Sequence, residues 1–106
     1  MSTIGLKFDS DKTRWDLVPI ELWEYTAKIY TYGAAKYAPN NWKSLEPFDD
    51  RYYAALMRHL CEWRKGNKID EESGFLHIGH AAWNANALLW KDIHEQILKE
   101  GEKTCG

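Results

Sequence analysis

This 106-residue chain has no long apolar run and no excess of positive charge. No window approaches the roughly 20 apolar residues of a membrane span, and the N-terminus lacks an apolar stretch of signal-peptide length. Fourteen Lys and Arg stand against 16 Asp and Glu, a formal net charge of -2. There is thus no electrostatic footprint for polymeric nucleic acid. A free nucleotide remains open, because it needs only a few local cations. Cysteine is scarce: Cys61 and Cys105 have no framework spacing, which reads as a reducing cytosol and not a secreted scaffold. The chain has no glycine-rich phosphate loop, which excludes a P-loop enzyme. It also has no alternating β-branched run, no Asn-Gly hairpin and no internal repeat. These absences leave a soluble, cytoplasmic, all-α domain with no membrane partner.

Aromatic residues, by contrast, are plentiful. Six Trp, six Tyr and three Phe offer more apolar surface than one small core consumes, and aromatics are enriched at interfaces. A homodimer or homotetramer is therefore expected. The chain reads as a single domain over 1–106, with an N-terminal arm over 1–18 and a frayed tail over 101–106. Between them the periodicity predicts three main helices plus short helical turns, packed as a small bundle. Helix A spans 19–35, opened by Pro19, with Ile20, Trp23, Ala27 and Tyr30 as its packing face. Helix B spans 50–65, prepared by Asp49-Asp50 and closed by Gly66, with Tyr52, Leu56, His59, Leu60 and Trp63 on one broad face. Helix C spans 76–99, with Ile78, Ala82, Ala85 and Leu89 as its packing face and Gly101 as its stop. Ala38-Pro39-Asn40-Asn41 is a turn, after which Trp42 tucks back onto the core.

Chemistry-bearing residues concentrate between Arg51 and Leu89. His77 and His80 are spaced i, i+3 and share one helical face, and Asn84 joins that stripe seven positions after His77. His59 and Glu62 repeat the spacing on helix B, and an acidic loop, Asp70-Glu71-Glu72, joins the two helices. A lone His on such a face is ordinarily a core histidine bonded to a backbone carbonyl. Three of them, with Glu62 and Asp70 nearby, suit a divalent cation. Imidazole with carboxylate favours Mn, Fe, Co, Ni or Zn over Mg. The competing reading is a polar network that pins a helix interface. Lys7, Lys12, Arg14, Lys36 and Arg58 could neutralise a polyphosphate, although the plainer reading of the first three is a solvated arm. Asn41 offers an amide to a base edge or a cap to a helix. Glu21 and Glu24 are either solvated, with Glu24 pairing Lys28, or available to a cation.

Lys7-Phe8-Asp9, Arg14-Trp15-Asp16-Leu17, Tyr32-Gly33-Ala34-x-Lys36-Tyr37, Asn41-Trp42, Arg58-His59-Leu60-x-x-Trp63 and Ser73-Gly74-x-x-His77-x-x-His80-Ala81-Ala82-Trp83-Asn84 follow one ordered pattern. It resembles the phage and prophage family of dATP/dGTP diphosphohydrolase N-terminal domains, over about 7–89. The resemblance implies hydrolysis of a purine (deoxy)nucleoside triphosphate to the monophosphate and pyrophosphate, adjusting a phage's nucleotide pool in the host cytoplasm. A weaker similarity leads to the all-α MazG-like pyrophosphohydrolases, which carry E-x-x-E and E-x-x-D on two helices and bind Mg²⁺. Here those positions read His59-x-x-Glu62 and His77-x-x-His80, with imidazole in place of three of the four carboxylates.

The leading expectation is a metal-dependent nucleoside triphosphate pyrophosphohydrolase. His59, Glu62, Asp70, His77 and His80 would hold Mn, Co, Ni, Zn or Mg. Glu24, Glu62 or Asp70 would do the acid–base work. Lys7, Lys12, Arg14, Lys36 and Arg58 would bind phosphates, and Asn41, Trp42 and Asn84 the base. The second expectation is a non-catalytic helical phage interaction module with a structural His network. A third, a His/Asp metal phosphohydrolase acting on monophosphates, lacks the adjacent His-Asp pair typical of one such superfamily.

Overall fold

The computed structural model describes residues 11–105, with side chains through residue 101. Three α-helices make the fold: α1 (Ile20–Lys36), α2 (Phe48–Arg64) and α3 (His77–Cys105). Short 3-10 helices, Trp15–Leu17 and Asn41–Ser44, precede α1 and α2. Among the described residues the only extended pairing is one antiparallel bridge, Ile69 to Leu76. The expected all-α class with three main helices is the one adopted.

Local chemistry sets the boundaries. Pro19 sits in extended backbone just before α1, and Glu21 in the first turn complements the helix dipole. Asn40 takes the left-handed conformation, φ 64°, that Asn tolerates, and so reverses the chain ahead of α2. Asp49 and Asp50 occupy the first turn of α2, and Gly66, at φ 99°, follows its end. The third helix runs through Gly101, the expected stop, to Cys105. A single helical Gly costs only about 1 kcal/mol, and no Pro follows to end the helix. Its 29 residues give a rod about 43 Å long.

The main packing pair is α2 with α3. Phe48, Tyr52 and Ala87 form its buried centre, and Trp42, Leu45, Trp83, Leu88 and Trp90 pack around them. Trp42 meets Trp83 and Trp90 edge to face at 5.7 and 5.0 Å, and Tyr30 meets Trp83 at 5.4 Å. Such geometry adds to the area term. The Tyr52 hydroxyl donates to the Trp42 carbonyl at 2.7 Å, and burial pushes that phenol up to about 12. Trp42 is thereby fixed against the core. By contrast, α1 leans on the start of α3 at Gly79, where a Cβ would lie 2.6 Å from Tyr25 Cε1.

Two of the expected packing faces are corrected. On α3 the buried residues are His77, Ala81, Asn84 and Ala87. Ile78, Ala82, Ala85 and Leu89 face outward, with Leu89 53% exposed. On α1, Ile29 is buried and Tyr25 half-buried; of the expected face Tyr30 turns inward onto Trp42 and Trp83, while Ile20, Trp23 and Ala27 are exposed. Apolarity selects the wrong stripe on α3, because the inward stripe carries polar groups that bond to one another. On α2 the expected face holds over its first three turns, where Tyr52 is buried and Leu56, His59 and Leu60 are half-buried, but Trp63 at its end is exposed.

Candidate active site

The polar stripe of α3 meets α2 around three imidazoles. Two bonds from elsewhere fix the start of α3. The Leu76 N–H donates to the Tyr25 hydroxyl at 2.6 Å, and the His77 N–H to the Lys68 carbonyl at 2.7 Å. Both are first-turn donors that a helix leaves without internal partners. His77 is thus held in place, 8% exposed, with its Nδ1 2.9 Å from Nδ1 of His59. One of these nitrogens carries the proton and the other accepts it, so the two rings are opposite tautomers. His80, one turn later, stacks on His59 with centroids 4.6 Å apart and planes 20° apart.

Ser73 joins this cluster to the acidic loop. Its hydroxyl oxygen accepts from the Phe75 N–H at 3.2 Å and lies 2.7 Å from both Asp70 Oδ2 and His80 Nε2. An ionised carboxylate only accepts, so the single hydroxyl proton goes to Asp70. The remaining lone pair on Ser73 takes the Nε2–H of His80. The lone pair of His80 is therefore on Nδ1. Sequence reasoning gave Ser73 no role of its own. Its signal was the Asp70-x-x-Ser73-Gly74 spacing of a side-chain-closed turn, with Gly74 at φ 80°.

The electrostatics agree with this proton placement. Burial, reinforced by His80 and His77, lowers the pKa of His59. Burial also lowers that of His80, against the pull of Asp70. For Asp70 burial acts upward, but the Ser73 hydroxyl and amide, with His80 and His59, outweigh it and hold the carboxyl below its ordinary value. The result is an ionised carboxylate behind two rings biased toward neutrality.

Two cavities meet at this cluster, and Tyr32, His59 and His80 line both. The first, about 480 Å³, is aromatic, walled by Tyr30, Trp42, Tyr52 and Trp83, with Asn40, Asn41 and Asn84 as its amides. The second, about 660 Å³, is polar, lined by Lys36, Arg58 and Lys65 together with Glu62, Asp70, Glu72 and His77.

An aromatic and a polar cavity thus share Tyr32, His59 and His80 as walls. The dATP/dGTP diphosphohydrolase N-terminal family matches residues 2–100. The chain belongs to this family. It is 34% identical over 86 residues to a dATP/dGTP diphosphohydrolase of Salmonella phage PMBT28, a match covering 81% of this chain and 29% of that protein. The chain therefore spans less than a third of the relative's length. No solved structure matches it.

In this family member the expected site residues divide into three groups. Asn41, Trp42 and Asn84 line the aromatic cavity; Lys36, Arg58, Glu62, Asp70, His59, His77 and His80 line the polar one. Glu21 and Glu24 are exposed on α1 and line neither cavity, as is true of Lys12 and Arg14. Arg14 is instead doubly bonded to Asp16 at 2.8 and 2.7 Å. Lys7 lies outside the described residues. The carboxylates beside the histidines are engaged locally: Glu62 by Asn67 at 2.7 Å, which lowers its pKa, and Asp70 by Ser73. Among the described residues, no three His, Cys, Asp or Glu side chains converge closely enough to grip an ion.

Proposed function

We propose that the domain is a metal-dependent pyrophosphohydrolase that takes a purine deoxynucleoside triphosphate to its monophosphate and pyrophosphate, adjusting a phage's nucleotide pool. The observation that carries this reading is that an aromatic cavity and a polar one holding Lys36, Arg58 and Lys65 share His59 and His80 as walls. Both volumes lie in the range of small-molecule sites. In this reading the purine stacks among Tyr30, Trp42 and Trp83. Asn84 donates its amide N–H to the His80 carbonyl at 2.8 Å. Among the described residues its amide oxygen takes no hydrogen bond, and it would accept a purine N–H in the way amides read adenine edges. Lys36 and Arg58 neutralise the phosphates, Lys36 exchanging its 2.6 Å bond to Glu72 for a phosphoryl oxygen.

To hold a divalent ion the donors would have to regroup, because the Nδ1 atoms of His59 and His77, 2.9 Å apart, face each other across one proton. Glu62 and Asp70 line the same cleft as hard donors. A bound ion would polarise a phosphoryl oxygen and acidify a bound water. The chain's own part is the proton. Water adds at the α-phosphorus, its proton passes to His80 Nδ1, and the bond to the α,β-bridging oxygen breaks as pyrophosphate leaves. Asp70, through Ser73, keeps His80 in the tautomer that can accept that proton.

A second reading, a helical module that binds without turnover, is favoured by one observation. The imidazoles and Asp70 already satisfy one another. One experiment separates the two: pyrophosphate release from each of the four dNTPs and GTP, with Mg²⁺, Mn²⁺, Co²⁺ and Ni²⁺ in turn, for the wild type and a His77→Ala/His80→Ala variant. Purine-selective release lost in the variant supports the enzyme. Absence of release from every nucleotide with every metal overturns the enzyme and leaves the helical interaction module.

A further inference from the structure

We infer that Trp83 is a base-contacting residue: its indole N–H donates to an acceptor on the purine edge, beside the base N–H that Asn84 takes. The inference rests on the proposed occupancy of the aromatic cavity by a purine, and adds a donor to it.

Among the described residues, Nε1 of Trp83 is the one buried side-chain polar atom without a hydrogen-bond partner. A buried donor left unmet costs more than an ordinary hydrogen bond gains, so the group calls for an acceptor. The wall around it offers none. Tyr30, Trp42 and Tyr52 meet the indole at 5.4, 5.7 and 5.7 Å. Two polar atoms of that wall, the Tyr52 hydroxyl and the Trp42 carbonyl, are bonded to each other. A ring face is only a weak acceptor. Trp83 lines the cavity of about 480 Å³, so the acceptor has room to arrive as part of a ligand.

The next residue supplies the complement. Asn84 is 5% exposed and lines the same cavity. Its bond to the His80 carbonyl orients the amide and leaves the oxygen to accept. One wall thus holds a donor without an acceptor and an acceptor without a donor. An anion would satisfy Trp83 and repel Asn84; an apolar ligand would satisfy neither. A base edge with an acceptor next to an N–H satisfies both. Adenine offers a ring nitrogen beside its amino group, and guanine offers O6 beside N1–H.

The ring planes allow the contact. Trp83 stands at 75° to Trp42 and 63° to Tyr30. A base stacked on either ring is therefore crosswise to Trp83 and turns an edge toward it. Tyr52 is 6% exposed and held by its hydroxyl. The Tyr30 ring is half-buried, and its hydroxyl makes no hydrogen bond among the described residues. Tyr30 is thus the side of the wall that yields, uncovering the indole N–H as the base enters.

The test is calorimetric binding of α,β-methylene-dATP and α,β-methylene-dGTP, whose α,β bridge resists hydrolysis, to the full chain and to a Trp83→Phe variant. Circular dichroism checks helicity. A second arm needs no variant. It gives the wild type analogues with one acceptor removed or weakened: the 1-deaza and 7-deaza forms of the adenine nucleotide, and the 6-thio form of the guanine one. Trp83→Phe keeps a ring and removes the N–H, so the tighter-binding parent should lose about 5- to 10-fold in affinity. One analogue of that parent should bind the wild type as weakly, and lose nothing more in the variant. Unchanged parent affinity in the variant, or full affinity of the wild type for every analogue, overturns the inference. So does an equal loss in the variant for parent and all analogues, which makes Trp83 a packing ring only. In each of these cases the purine still binds, and the proposed occupancy stands. Failure of both parents to bind removes that occupancy and the inference with it.

Discussion

At the scale of single residues, Ser73 determines what His80 can do. Its three bonds fix the Nε2–H tautomer and leave Nδ1 as the free base. Ser73→Ala removes the acceptor for Nε2–H and a donor to Asp70 together. The imidazole ¹⁵N shifts of His80 should then report a mixture of tautomers, and kcat should fall about 10- to 100-fold, the usual effect of losing a second-layer partner, with KM little changed. Ser73→Thr should restore much of the rate, and an unaltered tautomer in Ser73→Ala would refute the assignment. Acid sensitivity follows from the same cluster. Burial lowers the folded pKa values of His59 and His80 below the unfolded value near 6.5. The unfolded chain therefore binds more protons in that window, and stability falls as pH drops below about 6.5 toward the depressed values. Asp70, also lowered, adds a second loss only below its unfolded value near 3.9. Urea midpoints at pH 7.5, 6 and 5 should decline in that order. The histidines were legible in sequence because i, i+3 spacing survives in any helix. Glu24 stands outside both cavities, because its acidity says nothing about which way α1 faces.

At the scale of elements, helix positions were legible and helix faces were not. Pro19, the Asp49-Asp50 pair and Gly66 mark ends by local backbone chemistry, which needs no tertiary information. Facing depends on the neighbour, and on α3 the neighbour chose the polar stripe. Gly79 shows how specific that choice is. A methyl there meets the Tyr25 ring at 2.6 Å and Ile29 at 3.3 Å. The ring has little freedom to yield, because its hydroxyl accepts from Leu76 and its face packs edge-on with Phe75. Gly79→Ala should therefore destabilise by on the order of 1 kcal/mol, overpacking outweighing the gain in helix propensity. Gly33, with nothing within 4 Å of its built Cβ, should behave oppositely. Gly33→Ala should stabilise by about 0.5–1 kcal/mol. Denaturant midpoints of the two variants, moving apart from the wild type, would confirm that α1 docks on α3 at Gly79.

At the scale of the whole molecule, the cavities could not have been read from the chain. Their walls combine segments near residues 29–45, 52–65 and 70–84, and no periodicity links them. The aromatic surplus was legible in composition, but not which rings meet: Trp42, from the segment before α2, closes on Trp83 and Trp90 of α3, while Trp15 and Trp23 stack on each other and stay exposed. That division depends on which segments fold together, and spacing along the chain does not carry it.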